Sequence, residues 1–374
     1  MKSSTSEVVF EAVSALTPEL ATTRRALHAD LVTFARRPDP ATFDDLARRV
    51  VAYQIAALPA YGRLAAAAGF APEGDWHAAP LVPTELFRSL DLCSLPVSEK
   101  DRVFLTSGTT TDAGEGLGVL RGRRRVPDLT LYRTAMAAPF VAHVLGGDLA
   151  RHRWVSLIPR ADILPTSSLS LMVTELAETL ASDSVWAMDL EGLDDALAVT
   201  ALAEGPRSGE APLVVVTTAF AIAELLGRVR RLPRLPPGSR VMLTGGFKGH
   251  ESAVSEPELL AKLCKQFGLP PAAIVAEYGM TELTSQAYGT PLTPSAALRF
   301  RIVDPSDGHA LAPGEVGLLA CFDLLNLDHV SAILTSDLGA VDAEGRLTLH
   351  GRLAGASPRG CSLTAEEILE GPSR

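Results

Sequence analysis

"PLVVVTTAFAIAELLGRVRRL", residues 212–232, decides the fold class. Its first third is an apolar, β-branched run without polar alternation, the mark of a strand buried on both faces. From Ala219 onward the apolar residues fall at helical spacing, and arginines gather near the end, where a helix favours positive charge. A strand feeding straight into a helix is one β–α unit. Similar units flank it. Upstream, "RVFLT" (102–106) and "RWVSLI" (153–158) read as strands, and "PDLTLYRTAMAAPFVAHVL" (127–145) and "SLSLMVTELAETLA" (168–181) as helices. Downstream come strand "RVMLTGG" (240–246), helix "PELLAKLCKQFG" (257–268) and strand "AIVAEYG" (273–279). The alternation predicts an α/β fold with a largely parallel sheet covered by helices.

The texture differs at both ends. Residues 5–70 carry helical apolar spacing broken at "RRPDPATFDD", where Thr42 or Asp44 is expected to cap the second helix. "AAPLVPTELFRSLDLCSLP" reads as a Pro-punctuated connection. Beyond about residue 290 the helices stop. "LRFRIVD", "GEVGLLACFDL", "AILTSDLGAVD" and "RLTLHGRL" predict a small, mostly antiparallel β subdomain. The expected division is a helical N-terminal region (1–99), an α/β core (100–289), the β subdomain (290–350) and a short tail (351–374).

Composition narrows the function classes. Of 374 residues 47% are hydrophobic and 21% charged, which describes a packed globular chain. A net charge of −10 argues against nucleic acid as a partner. The basic run Arg121–Gly122–Arg123–Arg124–Arg125 reads as a solvated face, or else as a docking patch for polyphosphate or an acidic partner. No apolar stretch is long enough to span a membrane. The four cysteines lack metal or disulfide spacing, so a reducing cytoplasmic setting with free thiols is expected.

Three motifs carry the chemistry. "TSGTTTDAGEGLG" (106–118) follows a strand and is rich in Gly, Ser and Thr; it suits either a surface turn or a cradle for phosphate oxygens. "EYGMTEL" (277–283) and "LTSDLGAVDAEGRLTLHGRLAG" (334–355) complete an ordered set. Together they resemble the adenylate-forming (acyl-activating) ligase superfamily over residues 80–361. "PTELFRSL", "PTSSLSLMVTEL", "LTGGFKG" and "GRLAGASPRGCSL" make the chain most similar to the LuxE-like acyl-protein synthetase branch.

The resemblance implies a fold like that superfamily's N-terminal domain, with the large C-terminal lid absent or reduced. It also implies ATP and Mg²⁺. Ser107, Gly108, Thr109 and Thr110 would wrap the β- and γ-phosphates, although Thr111 stands where the family usually has Gly and resists positive φ. Thr281 would touch the α-phosphate and Glu282 would hold Mg²⁺. Tyr278 would stack on adenine, and Gly245, Gly246 and Gly279 would let the backbone approach the nucleotide. Asp337 would accept from ribose hydroxyls, and Arg352 would reach ribose or phosphate. The family's lid lysine has no counterpart; Lys248 is the lysine best situated to replace it. Cys361, near Arg359, would accept the acyl group as a thioester. Cys93, Cys264 and Cys321 read as small core residues. Leucines and Met172 of residues 167–180 would line an apolar tunnel for the acid or simply fill core.

The resulting expectation is ATP-dependent activation of a carboxylic acid, a fatty acid foremost. Transfer to Cys361 would follow, then delivery to an acyl reductase, acyltransferase or carrier protein. Direct transfer to CoA, a carrier thiol or an amine is a second reading. A catalytically weak nucleotide- or acyl-binding subunit is a third.

Overall fold

The computed structural model describes residues 15–106, 121–205, 211–245 and 256–353. Three helices open the chain: α1 (Pro18–Arg36), α2 (Pro40–Ala57) and α3 (Pro59–Ala67). Each starts with proline, whose fixed φ and missing N–H suit a helix's first turn. The cap of α2 is Asp39, whose side chain accepts the Ala41 N–H at 3.0 Å. The expected caps Thr42 and Asp44 lie inside the helix instead, because Pro40 fixes the first turn two residues earlier.

The central sheet has seven strands in the order β10-β9-β8-β7-β6-β4-β5. Its parallel part comprises β4 (His152–Leu157), β5 (Ala181–Trp186), β6 (Ala211–Thr218), β7 (Arg240–Thr244) and β8 (Ile274–Tyr278). The short antiparallel strands β9 (Ala287–Tyr288) and β10 (Thr293–Pro294) finish one edge, so the sheet runs past the boundary expected at 289. Alternate residues of β6 serve opposite layers. Val214 and Val216 face α4 (Thr130–His143) and α5 (Ser168–Leu180). Leu213 and Val215 face α6 (Asp195–Glu204), α7 (Ala219–Arg228) and α8 (Glu256–Phe267). Helix α4 continues through Pro139, a substitution that costs a helix interior about 3 kcal/mol. The next residue, Phe140, is fully buried against Trp154 and Tyr288. Burying side chains such as Met136 and Phe140 contributes roughly 1.5–3 kcal/mol each, enough to offset the proline.

The second sheet is the expected β subdomain: β11 (Leu298–Val303), β12 (Gly317–Asp323), β13 (Ala332–Val341) and β14 (Leu347–Arg352), all antiparallel. One strand comes from far upstream. β1 (Val82–Pro83) lies parallel to β13, with Val82 opposite Ile333, so the region up to residue 99 is not wholly helical. β2 (Arg102–Leu105) and β3 (Arg123–Val126) form a separate two-stranded antiparallel ribbon. Among the described residues no helix is long and apolar enough to cross a membrane.

Candidate active site

Strand β4 lies between β5 and β6, and the chain leaves β4 and β6 toward opposite faces of the sheet. Such a switch in direction opens a crevice beyond the carboxyl ends of parallel strands, where α/β proteins bind ligands. A cavity of about 480 Å³ occupies that crevice. Thr218, Thr244 and Glu277, at or next to the ends of β6, β7 and β8, line it. The N-terminal turns of α5 and α7 open onto it through Ser168 and Ala219. Both helices carry hydroxyl caps: Ser167 accepts the Ser170 N–H at 3.1 Å and Thr218 the Ala221 N–H at 3.0 Å.

The cavity collects residues from all three motifs. Gly245, Gly279, Thr281, Glu282, Asp337 and Arg352 line it together. Gly245 has φ +71°, a conformation only glycine adopts freely. At Gly279 an added Cβ would lie 2.5 Å from Glu277 Oε1, so a larger residue there would displace that carboxylate. Thr244 Oγ1 donates to Glu277 Oε2 across adjoining strands. Asp337 and Arg352 face each other in the β13–β14 ladder, with Nε 3.6 Å from Oδ1. Tyr278 has another position. Its ring is buried in the core beside Phe300, and its hydroxyl donates to Asp337 Oδ2 at 2.8 Å. It supports the carboxylate from behind rather than lining the cavity. Burial pushes its phenol well above the ordinary tyrosine range, so it stays a donor.

Described residues on either side of the rest of the Gly/Ser/Thr loop also stand at the cavity, which Thr106, Arg121 and Gly122 line. Gly122 donates to Thr106 Oγ1 at 2.9 Å, and Arg121 Nε donates to Thr106 O at 2.6 Å. Ser107, Gly108, Thr109, Thr110, Gly246, Lys248 and Cys361 lie outside the described residues. Cys93 and Cys321 are buried and Cys264 is half-buried, as core thiols should be; burial raises the Cys93 thiol to about 12.

Several residues that hold the cavity wall in place are not marked by the sequence motifs. The basic run after the loop is a solvated face only at its start: Arg121 is exposed and Arg123 half-buried, but Arg124 and Arg125 are both buried. Arg124 Nη1 donates to Thr281 O at 3.2 Å and Leu283 O at 2.6 Å; Nη2 donates to Thr284 Oγ1 at 2.6 Å and Asn326 Oδ1 at 2.9 Å. Burial lowers its pKa, and the Asp323 carboxylate leads the groups that oppose the fall. Arg125 is anchored by Asp91 at 3.0 Å and Asp101 at 2.6 Å. The segment carrying Thr281 and Glu282 is gripped from the other side too. Asp323 accepts the Thr284 and Ser285 N–H groups at 2.7 Å, and Asn326 Nδ2 donates to Glu282 O at 2.9 Å. Buried, charge-assisted bonds of this kind hold a backbone in one conformation. Nothing local in "RGRRRV" marks the Arg124 contacts, which close over more than 150 residues. Thr244 and Glu277 do carry a signal, standing at or next to the ends of neighbouring parallel strands.

The inner wall mixes apolar and polar groups. Tyr132, Leu164, Leu169 and Met172 contribute apolar surface, while Leu171, Val173 and Leu176 of the same helix turn into the core. Residues 167–180 therefore serve cavity and core at once. Gln286 also lines the cavity, with Nε2 donating to Thr284 O at 3.0 Å.

No family model and no curated protein matches the sequence. Three-dimensional similarity does extend to solved structures. ATP-bound MatB from Rhodopseudomonas palustris is 15% identical, with a TM-score of 0.47 over 69% of this chain and 49% of that one. O-succinylbenzoate coenzyme A synthetase from Bacillus subtilis, solved with ATP and magnesium ion, is 18% identical, with a TM-score of 0.45 over 68% and 51%. The amide bond synthetase McbA from Marinactinospora thermotolerans is 19% identical, with a TM-score of 0.45 over 67% and 48%. The chain spans about half the length of these proteins.

Proposed function

We propose that the chain activates a carboxylic acid with ATP and Mg²⁺ and passes the acyl group to a thiol. The observation that carries this reading is the convergence of motif residues separated by dozens of positions on one cavity. Gly245, Thr281, Glu282, Asp337 and Arg352 share its wall with Thr106, Arg121 and Gly122. Its volume of about 480 Å³ is in the range of small-molecule and cofactor sites.

The residues fit the nucleotide and the metal. Among the described residues no three His, Cys, Asp or Glu side chains gather as a metal cage. Mg²⁺ is commonly held by one or two carboxylates together with phosphate oxygens and water, so Glu282 suffices on the protein side. When bound, Mg²⁺ supplies neutralisation of phosphate charge. Asp337, fixed by the Tyr278 hydroxyl, would accept from ribose hydroxyls. Arg352 would steady that carboxylate and add positive charge at the rim. Thr281 would donate to the α-phosphate, its backbone held by Arg124.

In the first step the substrate carboxylate attacks the α-phosphorus of ATP, the α–β phosphoanhydride bond breaks, and pyrophosphate leaves with the electron pair. Positioning and charge stabilisation do the catalytic work. Ser107, Gly108, Thr109, Thr110 and Lys248 are the groups proposed to meet the phosphates, with Gly246 giving backbone access. In the second step the Cys361 thiolate attacks the acyl carbonyl and AMP departs, leaving a thioester for a downstream acceptor. The mixed wall formed by Leu164, Leu169, Met172 and Tyr132 would receive the organic part of the acid.

Intact-mass measurement with ATP, Mg²⁺ and a panel of carboxylic acids, run beside pyrophosphate detection, tests both steps. An ATP-dependent acyl mass gain that vanishes in Cys361→Ala is the expected result. Pyrophosphate release without mass gain would move the acceptor outside the chain. Absence of both with every acid would overturn the reading.

A further inference from the structure

A second cavity, of about 170 Å³, is lined by β11, β12 and β13 of the β subdomain. The segment Trp76–Ala78 forms one side, and Ala320, Phe322 and Ala332 form its apolar floor. Trp76 stacks on His77 at 3.8 Å and tilts against Phe322 at 4.5 Å. Arg299 and Arg301 enter the same cavity from β11. They are two residues apart on one strand and so share a face.

Neither guanidinium forms an ion pair with a carboxylate among the described residues. Arg299 Nη1 donates to Ala296 O and Leu298 O, both at 2.9 Å, and its plane rests 3.9 Å over Phe43. Arg301 Nη1 donates to His77 O. No described residue accepts from Nε or Nη2 of either arginine. The nearby carboxylates bond to other groups, Asp44 accepting Trp76 Nε1 at 3.1 Å and Asp75 holding the His77 ring at 2.7 Å, and act on Arg299 and Arg301 only through space. Both arginines are half-buried, and burial lowers their pKa values. Two such cations beside apolar walls favour an anion that brings its own apolar surface.

We propose that this cavity binds a small organic carboxylate, its charged end on Arg299 and Arg301 and its apolar body on Phe322 and Trp76. A monoanion suits the apolar floor better than a phosphate dianion, whose desolvation costs more. By the volume water occupies, about 30 Å³ each, the space holds about six non-hydrogen atoms, enough for one aromatic ring beside the arginines. An aromatic or short aliphatic acid is of that size. A ligand so small is expected to bind with Kd of about 0.1–1 mM.

The test uses the whole chain labelled with 5-fluorotryptophan, in the absence of ATP, followed by ¹⁹F NMR. Trp76→Phe assigns the Trp76 resonance against those of Trp154 and Trp186, neither of which lines this cavity. Benzoate should shift the Trp76 signal saturably in the stated range, while the neutral benzyl alcohol should not. Arg299→Gln with Arg301→Gln should weaken the benzoate effect at least tenfold. Should that variant misfold, the comparison of benzoate with benzyl alcohol on the unmodified chain decides the matter. No Trp76 shift up to 20 mM benzoate (about twenty times the weakest expected Kd) overturns the proposal. So does an equal response to benzyl alcohol, or inorganic phosphate binding as tightly as benzoate.

Discussion

Arg124 shows what one buried cation does for a loop. Its four donated bonds tie the backbone on both sides of Glu282 to the Asn326 corner. Arg124→Met removes the charge and leaves those acceptors unmet, so urea unfolding should show a loss of about 3–5 kcal/mol. Arg124→Lys should recover little, because a point charge cannot reproduce a planar fork. His329 carries a different liability. It is buried and pairs with Leu92 O at 2.9 Å, and burial with Arg124 nearby drives its pKa far below the usual histidine value. The unfolded chain takes up a proton below about pH 6.5 that the folded chain refuses. Stability should therefore fall as pH drops below that point, by up to about 1.4 kcal/mol per pH unit. Urea midpoints between pH 7 and pH 5 would show it, and His329→Gln should flatten the slope. At this scale the sequence was read unevenly. Glu282, Asp337 and Arg352 stood out because motifs flank them. Arg124 did not, because charge in a short run looks solvated until its distant partners are known.

Caps and edges govern the elements around the cavity. Ser167 both caps α5 and lines the cavity, so Ser167→Ala should cost about 1 kcal/mol in a urea titration. The long apolar strands and amphipathic helices were legible, since periodicity is a local property. β6, β7 and β8 fall within a residue or two of their expected spans. The elements that escaped are those without such a pattern. β5, "ASDSVW", is an edge strand with mostly half-buried residues, and β3 is arginine-rich. Each is a strand because a neighbour supplies its hydrogen bonds.

The whole molecule is knitted by contacts its linear order hides. The helical opening of the chain packs on the corner that follows β12: Leu27, Leu31 and Phe43 share a core with Phe322, Leu324 and Leu327. Gln54 Nε2 donates to Asn326 O at 2.7 Å, and Arg24 grips Asp328 with two bonds of 2.6 Å. Arg24→Ala should cost about 2–3 kcal/mol and lower the thermal midpoint, as calorimetry would measure. This same corner steadies Glu282 through Asn326, so the first helices support the cavity without lining it. The α/β alternation and the antiparallel tail foretold both sheets. The strand β1 that joins opening and tail is two residues long, too short for any periodicity to reveal.

The Arg24–Asp328 clasp also has a cost in time. Its partners stand 304 positions apart. At about 5–20 residues per second, a ribosome needs roughly 15–60 s to make the second after the first. Through that interval α1 and α2 carry an apolar face whose final cover has not been synthesised. Leu131 and Ala135 of α4 arrive sooner and shelter part of it. The nascent chain thus spends much of its birth with its earliest helices half dressed, and the speed of translation sets how long they are open to a chaperone or to one another.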